Sequence, residues 1–227
     1  MLEIQQKDNM LSHIEILQNC LLFDGIKKDD LLNLLGCLNG RIKQYKKDEL
    51  ILAEGKNANI SGIVLTGSLY TEQYDYFGNR TILSRIESTQ LFGESYHFSK
   101  EKPSVNIIAA EDSTVLLFNS GKISSPCQNH CAFHIKLINN LIHVLATNNV
   151  SLNLKIQCIS QRTTREKLLN YLSNESKKQK SKEFTIPYDR QSLADYLCVE
   201  RSAMAAEISK LRNEKIIECT KNKFKFL

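Results

Sequence analysis

Between Asp189 and Leu211 the chain reads DRQSLADYLCVERSAMAAEISKL, and this stretch constrains the fold more than any other. Asp189 is a favourable N-cap, and Leu193, Ala194 and Leu197 recur behind it at helical spacing. A Cys198-Val199 corner separates this short helix from a second one, in which Ala203, Ile208 and Leu211 are expected to face inward. Arg201, Ser202 and Ala205 then lie on the outer face near the start of the second helix, where a helix laid in the major groove meets base edges. The pair predicts a helix-turn-helix that reads DNA. Downstream, Ile216–Thr220 and Lys223–Leu227 flank Lys221-Asn222 as two short strands, which adds a wing.

Charge is distributed to match. From Lys155 onward the chain carries 16 Lys and Arg against 9 Asp and Glu, whereas the residues before it carry 14 against 16. The basic excess therefore belongs to the helix-turn-helix region, as phosphate contact requires. The lysine run Lys177–Lys182 reads as a solvated loop.

A chain of 227 residues can bury two cores. Its apolar runs are short and broken by charge, and residues 1–10 lack the features of a secretory signal, so a soluble, cytoplasmic protein without a membrane span is expected. Seven cysteines without regular spacing do not make a disulfide framework and are expected to be mostly reduced.

Residues 41–119 have a different texture. Glu49–Leu52, Gly62–Leu65, Ser68–Thr71, Thr81–Leu83, Val105–Ile108 and Thr114–Phe118 are short β-prone runs divided by turn residues, which predicts an antiparallel sandwich or barrel. Helical stretches, His13–Cys20 and Lys28–Leu38, precede it. From Cys131 to about Ile159 the pattern becomes one long helix without Pro or Gly. Ile138, Ile142, Leu145, Asn149, Leu152 and Ile156 form a heptad seam on it, predicting a parallel dimer with Asn149 setting register. Leu137, Leu141 and Val144 make a second stripe, expected to pack on the β-domain of the same chain. Arg162–Leu172 and Thr185–Pro187 are read as the helix and strand that open the last domain.

This order, with Gly55, Gly67 and Gly78, the Phe92-Gly93-Glu94 turn and the RQSLADYLCVERSAM segment, resembles the CRP/FNR family of bacterial transcription regulators. The resemblance implies an α+β chain. Residues 1–126 would form an effector-sensing, cupin-like double-stranded β-helix (jelly-roll) with N-terminal helices, 127–159 a dimerisation helix, and 160–227 a winged helix-turn-helix. It also implies a homodimer without catalytic activity, in which a signal in the β-domain passes through the long helix to the recognition helices on a two-fold symmetric operator, with RNA polymerase as a further partner. By position, Arg201 matches the family's base-contacting arginine, and Arg190 and Gln191 match the start of the first helix, where phosphate is met. Ser202, Ala205, Ala206 and Lys210 complete the DNA-binding set. Ser202 and Ala206 stand where family members carry a base-reading glutamate and a second arginine, so their operator sequences do not transfer.

The effector pocket implied by the resemblance comprises Gly93, Glu94, Ser95, Pro103 and Ser104. Members that bind cyclic nucleotides carry an Arg-Ser pair there, and here the pair is Pro103-Ser104, so cyclic AMP is not expected. The N-terminal cysteines that hold the iron-sulfur cluster of FNR-like members are also missing, and that cofactor is not expected. Cys127, His130, Cys131 and His134 nevertheless place two thiols and two imidazoles at i, i+4 spacing, a candidate metal or redox site. Haem or another metal, with His97, Cys131 or His134 as candidate haem ligands, stays open beside a small organic effector. Two alternative readings remain: a haem, metal, thiol-redox or nitric-oxide sensing version of the regulator, and a cupin-type protein carrying an interaction module that does not bind DNA.

Overall fold

A computed structural model describes residues 10–56, 60–124 and 133–227. The chain divides into two compact units: one takes the residues up to Gln73 and Leu83–Asn148, the other Tyr74–Ile82 and Asn149–Leu227. No described helix is long and apolar enough to cross a membrane.

In the first unit, helices α1 (Ile14–Gln18) and α2 (Lys28–Cys37) precede the strands β1 (Arg41–Tyr45), β2 (Leu50–Leu52), β3 (Ile60–Thr66), β4 (Leu69–Tyr74), β5 (Arg80–Ile86), β6 (Leu91–Phe92), β7 (Asn106–Ala109) and β8 (Ser113–Asn119). They form two antiparallel sheets with strand orders β1-β8-β3-β6 and β2-β7-β4-β5. Strand β8 explains why its sequence is continuously apolar rather than alternating. Val115 and Leu117 join Tyr45, Val64, Leu69, Phe92 and Ile107 in a cluster between the sheets. Leu116 and Phe118 point the opposite way, into a cluster with Leu17, Leu31, Leu34 and Leu35 of the helices. Gly62 lets β3 pass close to β6, because a Cβ there would meet the Phe92 ring at 2.4 Å.

Two strands escape the sequence pattern. β1, RIKQY, offers only Ile42 and Tyr45 to an apolar count, and β6 is two residues long. Helix α3 (Glu94–Ser99) follows β6, and α4 (Gly121–Ser124) follows β8.

The long helix α5 spans Phe133–Ile159. Leu137, Leu141 and Val144 are buried in the helix-side cluster, as their stripe predicts. On its other face Ile138, Ile142, Leu152 and Ile156 are exposed, the last three by more than half. The helix is divided between the two units at Asn148 and Asn149.

In the second unit come α6 (Thr164–Gln179), β9 (Glu183–Thr185), α7 (Arg190–Leu197), α8 (Arg201–Asn213) and the hairpin β10 (Ile217–Thr220) with β11 (Lys223–Phe226). Thr163 opens α6 with a reciprocal cap: its hydroxyl accepts from the Glu166 amide at 3.2 Å while the Glu166 carboxylate accepts from the Thr163 amide at 3.0 Å. This helix runs well past Leu172 and takes in Lys177 and Lys178, so the loop expected at Lys177 starts only at Lys180, which has φ 50°. Nothing before Gln179 breaks the helix, and side-chain bonds from Asn174 to Asn170 and from Gln179 to Glu175 support its last turns. β9 likewise ends before Ile186 and Pro187, since proline has no amide to extend the ladder.

Candidate nucleic-acid interface

Asp189 caps α7 by accepting from the Ser192 amide at 2.7 Å, and Leu193, Ala194 and Leu197 bury the inner face. Cys198 then takes the left-handed conformation, φ 52° and ψ 55°, and the Val199 amide closes on the Ala194 carbonyl at 3.1 Å. This tight corner aims α8. Its buried stripe is Met204, Ile208 and Leu211; Ala203, expected to face inward, is exposed because the helix starts at Arg201 and the 4,3 spacing selects Met204 instead. Arg201, Ser202, Ala205 and Ala206 are all exposed on the outer face. Among the described residues no side-chain hydrogen bond caps the α8 amino terminus at Glu200.

The remaining predicted contacts differ in environment. Gln191 is exposed and bonds Asp195 at 2.8 Å, and Lys210 is exposed and pairs with Glu207 at 2.7 Å. Arg190 is half-buried and turned toward the hairpin. Its Nη2 donates to the Lys221 carbonyl at 3.0 Å, its guanidinium lies 5.0 Å from the Phe224 ring centroid, and its Nη1 is buried without a partner among the described atoms. Arg190 therefore fastens α7 to the hairpin, a role its position beside an N-cap did not reveal.

The hairpin has the predicted Lys221-Asn222 turn, with Ile217 opposite Phe226 and Thr220 opposite Lys223. β11 also pairs with β9, and Phe184 stacks on Phe224 at 6.2 Å and 15°. Lys221 and Lys223 remain exposed. Arg165 pairs with Glu214 through both carboxylate oxygens and lies 4.0 Å from Glu207, tying α6 to α8. Lys155 is the other residue that the sequence does not single out. It is 6% exposed, and its ammonium donates to the carbonyls of Ile82, at 2.9 Å, and Tyr196. Burial pushes its pKa down to about 8.

Of the expected effector residues, Gly93 and Glu94 are buried and Pro103 is buried, while Ser95 and Ser104 are exposed. Burial raises the Glu94 pKa above the ordinary carboxylate value, and the carboxylate accepts from Ser95 at 3.4 Å and from Asn148 of α5 at 3.3 Å. Cys127, His130 and Cys131 lie outside the described residues. His134 is described, with Nε2 3.2 Å from the Lys122 carbonyl, and no group of three metal-ligating side chains occurs among the described residues. His97 packs edge-on against Phe98.

Residues 42–130 match the cyclic nucleotide-binding domain family. The fold is also found in solved structures. FixK2 from Bradyrhizobium japonicum superposes with TM-score 0.67 at 17% identity, over 82% of this chain and 92% of that one. This chain has the fold of the CRP/FNR regulators. A CooA mutant from Carboxydothermus hydrogenoformans gives TM-score 0.69 at 16% identity, over 84% of this chain and 85% of that one. The c-di-GMP responsive global regulator CLP of Xanthomonas campestris gives 0.70 at 12% identity, over 84% and 95%. No curated protein sequence matches the chain.

Where the phosphate-neutralising arginine is expected, Pro103 is buried and its carbonyl accepts from the Gly55 amide at 2.8 Å. A proline at that position supplies neither a charge nor a donor.

Proposed function

We propose that the protein is a homodimeric, effector-gated transcription regulator of the CRP/FNR type that binds DNA sequence-specifically and has no catalytic role. The observation that carries this reading is the outer face of α8, where Arg201 stands at an uncapped helix start beside Ser202, Ala205 and Ala206. Small side chains allow the helix backbone to approach the groove floor, Arg201 supplies a bidentate donor for guanine, and the amides of the first turn suit phosphate. Lys210 and the hairpin lysines Lys221 and Lys223 supply backbone contacts, and Gln191 a further one. Arg190 contributes by holding the hairpin in place rather than by reaching phosphate itself.

The exposed stripe Ile138, Ile142, Leu152 and Ile156, with Leu145 half-buried and Asn149 within it, is assigned to the partner protomer. A pair of helices along this seam presents two recognition helices to half-sites about 34 Å apart. Binding of an effector in the β-domain shifts the seam and so the spacing of the two readers. RNA polymerase is the further partner through which DNA binding acts.

Selection from random-sequence duplexes tests this. The expected product is a two-fold symmetric consensus, with Arg201→Ala relaxing one position per half-site by roughly 1 to 3 kcal/mol while the thermal midpoint stays put. Recovery of no consensus, or an unaltered one from the variant, overturns the reading. The visible spectrum and metal content of anaerobically purified protein decide between a small organic effector and haem, metal or thiol gating through Cys127, His130, Cys131 and His134.

A further inference from the structure

Strand β1 carries exposed cations on the same side as its buried Tyr45. Arg41, Lys43 and Tyr45 alternate along the strand and so share one side of it, with Arg41 opposite Leu117 and Lys43 opposite Val115 of β8. Tyr45, Val115 and Leu117 belong to the apolar cluster between the two sheets, so Arg41 and Lys43 stand on the same side of β1 as that cluster, and both are exposed at the open edge of the sheet. A cavity of about 360 Å³ lies at that edge between β1 and β2. Arg41, Lys43 and Lys56 border it together with Tyr45, Leu52 and Phe92, and among the described residues no carboxylate does. Leu50 and Ile60, 49% and 39% exposed, form an apolar rim.

The electrostatics of these cations differ from those of their neighbours. Lys46 pairs with Asp112 at 2.7 Å and Arg85 with Glu87 at 2.8 Å. Arg41, Lys43 and Lys56 make no ion pair among the described residues, and Lys43 instead sits 4.3 Å from the Tyr45 ring centroid. Three unneutralised cations around an apolar hollow make a local positive field, and the chemistry that satisfies both is an oxyanion on a short apolar body.

We propose that this cavity binds the effector and that the effector is a small amphipathic oxyanion, a carboxylate or phosphate monoester, with Arg41, Lys43 and Lys56 around its charged group and Tyr45, Leu52 and Phe92 around its body. None of Gly93, Glu94, Ser95, Pro103 or Ser104 borders the cavity, so the site is distinct from the one implied by the resemblance. The volume lies at the small end of ligand pockets. The word effector rests on the regulator reading; binding itself does not.

Calorimetry on the full chain with octanoate, octyl phosphate, octanol and inorganic phosphate tests the proposal. Octanoate or octyl phosphate is expected to bind at least roughly tenfold more tightly than octanol or phosphate alone, and the double variant Arg41→Met, Lys43→Met, which keeps the aliphatic stems, is expected to lose roughly tenfold or more. Equal affinity for octanol, undiminished binding in the double variant, or no binding by either amphiphile overturns the site. Self-association of the variant through β1 with unaltered ligand affinity overturns it too, because the cations would then only guard a sheet edge. Duplex affinity is measured separately: octanoate or octyl phosphate that binds and changes it supports the effector role, and one that binds without changing it overturns that role. Failure of the ligand-free protein to bind any duplex instead counts against the regulator reading and leaves the calorimetric result standing.

Discussion

Lys155 keeps its amine inside the second unit by donating to the Ile82 and Tyr196 carbonyls and resting 3.3 Å from the Tyr196 ring centroid. Desolvation disfavours its charged form in the fold, whereas the unfolded chain holds the proton to the ordinary value of 10.5. Between pH 8 and 10.5 the unfolded state therefore binds more protons, and this residue's contribution makes stability rise with pH across that window. Replacing it with methionine removes the slope. Denaturant titrations of wild type and Lys155→Met at pH 7.5 and 10 are expected to converge at the higher pH relative to the lower, the variant being the more stable at pH 7.5 if the two carbonyls can be hydrated; parallel pH profiles would refute the assignment. Asp189 offers a simpler case: its carboxylate serves the Ser192 amide, and Asp189→Ala is expected to cost about 1 kcal/mol in the same titration.

At the scale of elements, the long helix shows what a pattern conveys. Two stripes on one helix, Leu137-Leu141-Val144 and Ile138-Ile142-Leu152-Ile156, are both visible as spacings, and the structure buries the first and exposes most of the second. The proposed dimer sets a second copy of the helix against this apolar seam. Ile142→Glu with Ile156→Glu is expected to give monomers in sedimentation velocity and to leave the monomer's circular dichroism unchanged, since both side chains already stand more than half in solvent. The helix-turn-helix was legible for a related reason: cap, corner and apolar spacing all sit within 23 consecutive residues of sequence. β1 was not. Its Arg41 and Lys43 are exposed at a sheet edge, and no periodicity distinguishes such a strand from a polar loop. Met204 takes the place of Ala203 because Met204, Ile208 and Leu211 step by four and three and share one helix face, whereas Ala203 lies five residues before Ile208.

For the whole molecule, charge and site are arranged on different principles. The second unit's basic excess is broadly spread over exposed lysines and arginines, which favours sequence-independent attraction to duplex DNA. Log affinity is expected to fall linearly with log salt, and Lys223→Ala to reduce the slope by about 1 while weakening all sequences alike. A slope unchanged by that variant would remove the hairpin from the interface. The first unit's cations at the cavity are few, local and dependent on which strands meet there.

Sequence alone determined the order of the parts, the helix-turn-helix with its hairpin, the two stripes of the long helix and the absence of an arginine before Ser104, since each is written in residues close together in the chain. The tertiary structure decided the rest: that Arg190 serves the hairpin, that Lys155 is buried, that Glu94 meets Asn148, and that Arg41, Lys43 and Lys56 surround one cavity. Those relations join residues far apart in sequence, and burial, pKa and charge balance exist only once the backbone has brought such residues within a few ångströms of one another.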